Sequence, residues 1–315
     1  MRIAVVGAGL AGIAAARTAA AAGHEVVVVE KSRGIGGRVA SRRVEGTVVD
    51  HGSPAIWVEP GSALAEHLAS VEVDGVHRVP EGIATPAGAS APLKALAAGL
   101  DIRLGVRLHA LRPTRSGYEL ADEQGNSHGS ADAVVVTAPG PQAADLLAGS
   151  GEPDGRVAAI RALGYLPAVM VLAGVRCAVP EGPVDPAEDG PLAQVRGEGD
   201  KGRPAIDGVH PLVARLADQH AGTLLDCSDE EVLAVAMPAL ARLLGDGAAD
   251  PAWAQVKRWR FAVPRGTLTA AVAAPSGTRI VLAGEVVAGA SFGGRHHSDT
   301  YASGLAAART VMEAG

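Results

Sequence analysis

Apolar residues in this chain gather into short runs punctuated by glycine turns and alanine-rich stretches, a rhythm that suits an α/β protein. Residues 3–6 are apolar and β-prone, and the chain then turns through Gly7, Gly9 and Gly12 into an alanine-rich helix that must stop at Gly23. Residues 26–29 make the second strand of this unit. Polar and apolar positions alternate over 39–51 about Gly46, which predicts a short hairpin. The pattern next predicts a helical patch at 62–68, a short helix at 92–100 and one strand over 102–111. Strands at 118–121 and 133–137 continue the sheet, and Pro139 and Pro141 end the last of them before a helix that starts at Gln142. Periodicity weakens between 151 and 225. There 165–175 reads as a strand, and 192–196 and 212–216 as antiparallel strands with Arg196 and Arg215 on polar faces, set among long Gly/Pro-rich turns. Residues 228–244 predict a helix with Ser228 as N-cap, Glu231 closing a capping box and Pro238 kinking it. Residues 253–263 alternate as a strand, with Arg258 and Arg260 on one face and Trp259 and Phe261 on the other, a placement more usual for core. A buried strand at 279–289 and an amphipathic helix at 298–313 close the chain.

The first unit carries chemistry. Gly7-x-Gly9-x-x-Gly12 stands between strand and helix, where the first glycine permits the tight turn and the second lets the backbone approach a pyrophosphate. The third brings helix and strand close. Leu10 and Ala11 open the helix, whose free N–H groups and positive dipole end favour phosphate. Glu30 ends the second strand, 18 residues after Gly12, where a carboxylate accepts hydrogen bonds from ribose hydroxyls. The unit therefore predicts a dinucleotide site. The extension KSRGIGGR, from Lys31 to Arg38, resembles the second half of the FAD-binding signature of the flavin amine oxidase superfamily. Gly36 and Gly37 would let the backbone pass close to the second phosphate, while Arg38 offers a cationic fork.

Composition narrows the partners. A 315-residue chain can build a substantial core, and with aromatics at 3% that core should consist of Val, Leu, Ala and Ile. A net charge of −6 with no basic block argues against nucleic acid or anionic lipid as partner. A first strand at Ile3 leaves no room for a cleavable signal, and no uncharged apolar run of about 18 residues is present to span a membrane, so a cytoplasmic location is expected. Cys177 and Cys227 are too few for a disulfide scaffold or metal site and read as small buried hydrophobes; no metal site is expected.

Later segments extend the resemblance to renalase-like FAD-dependent oxidoreductases of that superfamily. These are Asp50-His51-Gly52 after the GGR loop, APLKALAAGLDIRLGVRLHAL, VVVTAPGPQAADLL, the KRWRFA strand, and Gly284-Glu285 followed by the closing helix. The resemblance implies a Rossmann-like FAD-binding domain assembled from residues 1–60, 93–150 and 275–315. A smaller domain on a mainly antiparallel sheet, from 61–92 and 151–274, is inserted in it and carries the substrate. It implies His51 in the active-site wall, Leu108 against the adenine, and Thr137 and Pro139 where the strand-to-helix junction passes the dinucleotide. Gly284 and Glu285 match a Gly-Asp pair that binds the ribityl chain; the acid here is Glu, which keeps the charge on a longer arm. Arg295, His296 and His297 would line the flavin pocket, with the helix N-terminus near Ser298, Asp299 and Thr300 stabilising negative charge on the reduced ring.

The implied activity is hydride transfer from a small-molecule substrate to noncovalently bound FAD, with electrons passed to O2. Isomeric dihydronicotinamide dinucleotides are the substrates suggested by the resemblance. An amine or amino-acid oxidase and a biosynthetic desaturase stay open as alternatives, although few aromatics are available to frame an amine. A flavin-binding protein without turnover is the third possibility, since the motifs named bind cofactor and none acts on a substrate.

Overall fold

Short glycine-bounded apolar runs become the strands of a parallel sheet because valine and isoleucine fill both of its faces. In the computed structural model, which describes residues 1–186, 189–290 and 296–314, this sheet has the order Ile280–Leu282, Ala133–Val136, Arg2–Val6, Glu25–Glu30, Asp101–Leu104. Each neighbour is parallel, with Val5 opposite Val28 on one side and Val135 on the other. The two ends of the chain thus share one sheet. On one face Ile3, Val5, Val28 and Val135 meet the helices Leu10–Ala21 and His297–Glu313. Those helices nearly touch: a Cβ on Gly304 would lie 2.1 Å from the Ala11 carbonyl oxygen, so only glycine fits there. On the other face Ala4, Val27, Val134 and Val136 pack against Ala143 and Leu147 of helix Gly140–Leu147 and Leu120 of a three-stranded antiparallel sheet.

A five-stranded antiparallel sheet forms the second layer system, in the order Pro183–Val184, Leu192–Gly197, His210–Leu216, Tyr165–Val175, Trp253–Pro264. Alternation along Tyr165–Val175 divides its faces. Val169, Val171, Ala173 and Val175 point to helix Asp229–Leu244, whose Ser228–Glu231 capping box is formed as the spacing predicts. Ala168, Met170 and Leu172 point the other way, to Val44 and Val49 of the hairpin Ser41–Val44/Thr47–Asp50. The hairpin turns at Glu45 and Gly46, both with positive φ.

Several expectations need correction. The single strand over 102–111 is two strands in different sheets, Asp101–Leu104 and Leu108–Pro113, because Gly105 takes a positive φ and turns the chain between them. Residues 118–121 belong to the small antiparallel sheet and do not extend the parallel one. After Ile280–Leu282 the chain bends at Gly284 (φ 91°) into the short helix Glu285–Ala288, so the closing strand is shorter than its apolar pattern. Arg196 faces no solvent: it is buried and ion-paired at 3.0 Å with Glu81 and with Asp200. Cys177 and Cys227 are half-buried, not core. No described helix is long and apolar enough to cross a membrane, and no described cluster of three or more His, Cys, Asp or Glu could hold a metal.

The hairpin His77–Val79/Gly82–Ala84 is tied to the turn Gly199–Lys201 through His77, whose Nδ1 lies 2.8 Å from the Gly75 oxygen and whose Nε2 lies 2.8 Å from the Asp200 oxygen. Only the imidazolium can donate to both carbonyls, and these bonds raise its pKa above the ordinary value. Its stabilisation is complete below about pH 6.5 and is lost as pH rises through the folded-state pKa. A melting curve series on His77→Gln should show a smaller loss of Tm from pH 6 to 9 than the unsubstituted protein.

Candidate active site

Val6, Glu30, Thr137 and Gly284 stand at or just beyond the C-terminal ends of four parallel strands, and all line one cavity of about 1230 Å³. Ligands of open α/β sheets bind at this edge. The antiparallel sheet roofs the cavity with Lys257, Trp259 and Phe261 of strand Trp253–Pro264, and Arg42 and His51 from the hairpin complete that wall.

The glycine loops form the floor. Gly7 has φ 108°, and a Cβ there would strike Thr137 Oγ1 at 2.4 Å; a Cβ on Gly12 would be 1.9 Å from the Gly7 carbonyl oxygen. Gly12 is outside the cavity lining and acts by that close packing, whereas Gly7, Gly9, Leu10 and Ala11 line it. Gly36 and Gly37, both with positive φ, bring the second loop against the first, where a Cβ on Gly37 would be 3.2 Å from the Gly9 Cα. Glu30 is buried between the loops. Its Oε2 accepts from the Ala8 N–H at 2.8 Å and its Oε1 from the Ser32 N–H at 2.7 Å, which leaves lone pairs for hydroxyl donors.

Lys31 reaches Gln142 Oε1 at 2.8 Å, and burial lowers its ammonium pKa despite the neighbouring Glu30. Leu108, Pro139 and Gln142 also line the cavity. Arg38 and Glu285, expected to act separately on a cofactor, are paired with one another: Arg38 Nη2 donates to Glu285 Oε2, and Arg38 Nη1 to the Ala262 oxygen at 3.3 Å. Glu285 Oε1 accepts from Tyr165 Oη at 3.2 Å, and that hydroxyl accepts from the Gly140 N–H at 2.8 Å. Burial and Glu285 hold the Tyr165 phenol above its ordinary range.

All three candidate histidines border the cavity, in different states. His51 is buried, stacks on Trp259 with centroids 5.6 Å apart, and has no partner at Nδ1. Burial, with Lys257 and Arg42 nearby, brings its pKa down to about 4. His297 begins helix His297–Glu313; its Nδ1 accepts from the Trp57 N–H at 2.9 Å, which puts the ring proton on Nε2. Burial and Arg38 bring it to about 4 as well. His296 lies 3.8 Å from Asp299 and is partly exposed. Arg295 lies outside the described residues. His51, buried, and His297, partly buried, both favour the neutral form in the fold, so they contribute stability that is present above about pH 6.5 and is lost as pH falls toward 4. The double variant His51→Gln/His297→Gln should lose less Tm between pH 7 and 4.5 than the parent.

The sequence pattern misses Arg42, Lys257, Tyr165 and the cavity-facing role of Trp259 and Phe261. Alternation put the two aromatics on one face; both line the cavity, and Trp259 packs at the same time against the core of Val44, Val49 and Met170.

A model of the flavin containing amine oxidoreductases matches residues 55–312, and one of the NAD(P)-binding Rossmann-like domain matches residues 5–74. The chain belongs to the flavin-containing amine oxidoreductase family. Among solved structures it is similar to cyclohexylamine oxidase from Brevibacterium oxydans IH-35A (14% identity, TM-score 0.71, 99% of this chain and 98% of that one). It is also similar to a putrescine oxidase variant (16% identity, TM-score 0.70, 99% of each chain). Among curated proteins, 4,4'-diapophytoene desaturase of Staphylococcus aureus (strain MRSA252) is 47% identical over 60 residues, 19% of this chain and 12% of the relative. The structural likenesses establish the same fold, an α/β Rossmann-like unit with an antiparallel-sheet domain. The residues present fit the flavin dinucleotide of that family: Gly7 and Gly12 admit no Cβ, Gly36 and Gly37 take positive φ where the second loop meets the first, and Glu30 is fixed between the loops.

Proposed function

We propose that the chain is an oxidase that holds FAD without a covalent link and acts on an anionic substrate, isomeric dihydronicotinamide dinucleotides being the class that fits best, as in renalase-like proteins. Bound FAD would supply the redox chemistry, taking a hydride from a substrate carbon and passing two electrons to O2 to give hydrogen peroxide. Residues 1–60, 93–150 and 275–315 would hold it, with Glu30 on the ribose, Leu108 beside the adenine and the glycine loops around the pyrophosphate. The first-turn N–H groups of helix His297–Glu313 are available to stabilise negative charge at the end of the cavity marked by His297 and Thr300. Neither cysteine is on the cavity surface, in keeping with a noncovalent cofactor.

The observation that carries the substrate class is the charge of the roof. Lys257 lies 5.0 Å above the Trp259 ring, and Arg42 bonds Gln255 Oε1 at 2.7 Å; neither has a carboxylate partner among the described residues. Burial, with Arg42 nearby, lowers the Lys257 pKa. A cationic amine would meet this wall against its own charge, whereas the phosphates of a dinucleotide would relieve it. The lining carboxylates do not reverse the balance: Glu285 is paired with Arg38 and Asp145 with Arg161, and the charges of Glu30 and Glu123 are outnumbered by Lys31, Arg33, Lys94 and Arg107 together with Arg42 and Lys257. Space suffices: about 1230 Å³ exceeds the usual range for one small ligand, about 300–1,000 Å³.

Purified protein should be yellow, release FAD on acid precipitation, and bleach anaerobically with a mixture of dihydronicotinamide isomers but not with primary amines or amino acids. Bleaching by amines alone would move the assignment to an amine oxidase. A yellow protein that no reductant in the panel bleaches would favour a binding protein, and failure to take up FAD would overturn the reading.

A further inference from the structure

Four charged side chains are almost fully buried together at the junction between the hairpin and the antiparallel sheet: Asp50, Glu198, Lys201 and Arg203. Lys201 Nζ lies 3.2 Å from Asp50 Oδ2 and 2.8 Å from Glu198 Oε1; Arg203 Nη1 lies 2.8 Å from the same Asp50 oxygen and also bonds Glu198 Oε2. Asp50 Oδ1 accepts from Ser41 Oγ at 2.7 Å and from the Ala89 N–H at 2.9 Å, and Arg203 Nη2 donates to the Thr85 oxygen at 2.8 Å. Two acids and two bases balance, and every Asp50 oxygen is engaged from two sides. Such a cluster gains little over apolar side chains of equal volume, because desolvation offsets the pairing. Its distinctive product is a fixed geometry.

That geometry ends at the cavity. His51 follows Asp50 directly, and its ring has no hydrogen-bond tether at Nδ1, so its place is set by the main chain and by the Trp259 ring on which it stacks. The His51 carbonyl accepts from Trp259 Nε1 at 2.7 Å. Beyond it, a Cβ on Gly52 would be 2.1 Å from the Arg38 oxygen, and the Ser53 N–H donates to that oxygen at 2.7 Å. The chain on either side of His51 is therefore held by the antiparallel-sheet segment 198–203 and by the second glycine loop. We infer that Asp50 is a positioning residue: its carboxylate, clamped by Lys201 and Arg203, fixes where the His51 ring stands in the cavity wall.

Two variants test this. Asp50→Asn keeps the shape but leaves two buried bases facing one acid; Asp50→Asn/Lys201→Met keeps the charge balance through Glu198 and Arg203, so it protects the test from simple unfolding. The readout is the NMR pH titration of the His51 ring in histidine-labelled protein as purified, with far-ultraviolet circular dichroism to establish folding. Loss of Asp50 charge alone would lower the His51 pKa, because that carboxylate raises it, while Lys257 and Arg42 opposite would still lower it. Loss of position lets water reach the ring and moves the pKa up, by about one unit or more toward 6.5. A rise in the folded paired variant is the expected result. A His51 midpoint at or below the native value of about 4 in that variant would overturn the inference. The catalytic consequence rests on the oxidase reading: flavin reduction by mixed dihydronicotinamide isomers should slow about tenfold at unchanged flavin content. The NMR readout needs no substrate, so the two ideas fail separately.

Discussion

Protein carrying Glu30→Ala should purify without flavin and fail to take it up at concentrations that saturate the parent. The carboxylate receives the Ala8 N–H from the first glycine loop and the Ser32 N–H from the second, so one side chain holds both loops in the spacing that a pyrophosphate requires. Removing it leaves two donors without a partner, at about 1–3 kcal/mol each, so the free loops relax toward water and must be re-ordered at that cost on binding, before any lost bond to the cofactor ribose is counted. A total above about 3 kcal/mol is more than a hundredfold in affinity. Glu30→Gln keeps one acceptor oxygen but turns an amide NH2 toward a backbone donor, so it should fall between. The check is the flavin-to-protein absorbance ratio and the dissociation constant on reconstitution with FAD. Parent-like flavin content in Glu30→Ala would remove the glycine loops from the cofactor site.

Glu30 was legible because everything that places it is local. Strand, three glycines, helix and second strand follow in about thirty residues, and each step is governed by sterics that the residue types reveal directly. The Ser228 capping box and the Gly46 hairpin are readable for the same reason. What the sequence concealed lies in pairs far apart along the chain. Arg38 meets Glu285 only because the closing segment joins the same sheet as the first strand, and no local pattern distinguishes that pairing from two separate cofactor contacts. Arg196 reads as polar by alternation, yet Glu81 and Asp200 neutralise it in the interior. The segment 198–203 looks like a solvated turn, since its charges find their partner Asp50 about 150 residues upstream. Lys257 and Arg42 likewise come from different sheets, so their shared electrostatic wall exists only in the fold.

That wall gives the second large effect. Lys257→Glu should raise the KM for dihydronicotinamide dinucleotides about a hundredfold or more while changing kcat much less, because the charge acts on binding an anion that is present in both ground and transition states. Two unit charges about 5 Å apart at an effective dielectric near 20 interact by about 3 kcal/mol, and reversal both removes an attraction and adds a repulsion. Partial exposure of the lysine and added salt reduce that figure, so the parent KM should rise with ionic strength and the variant's should fall. The same substitution predicts a change at His51. Lys257 is, after burial, the largest influence holding that ring near pKa 4, and a carboxylate in its place would draw the pKa upward toward neutrality. The variant should then acquire a pH dependence of flavin reduction between about pH 5 and 7 that the parent lacks, and Lys257→Met should show a smaller rise in KM with a weaker pH effect. Stopped-flow reduction at several pH values and salt concentrations separates these terms. A KM unchanged by reversal would mean that the roof does not face the substrate's charge, and would return the amine oxidase reading to first place.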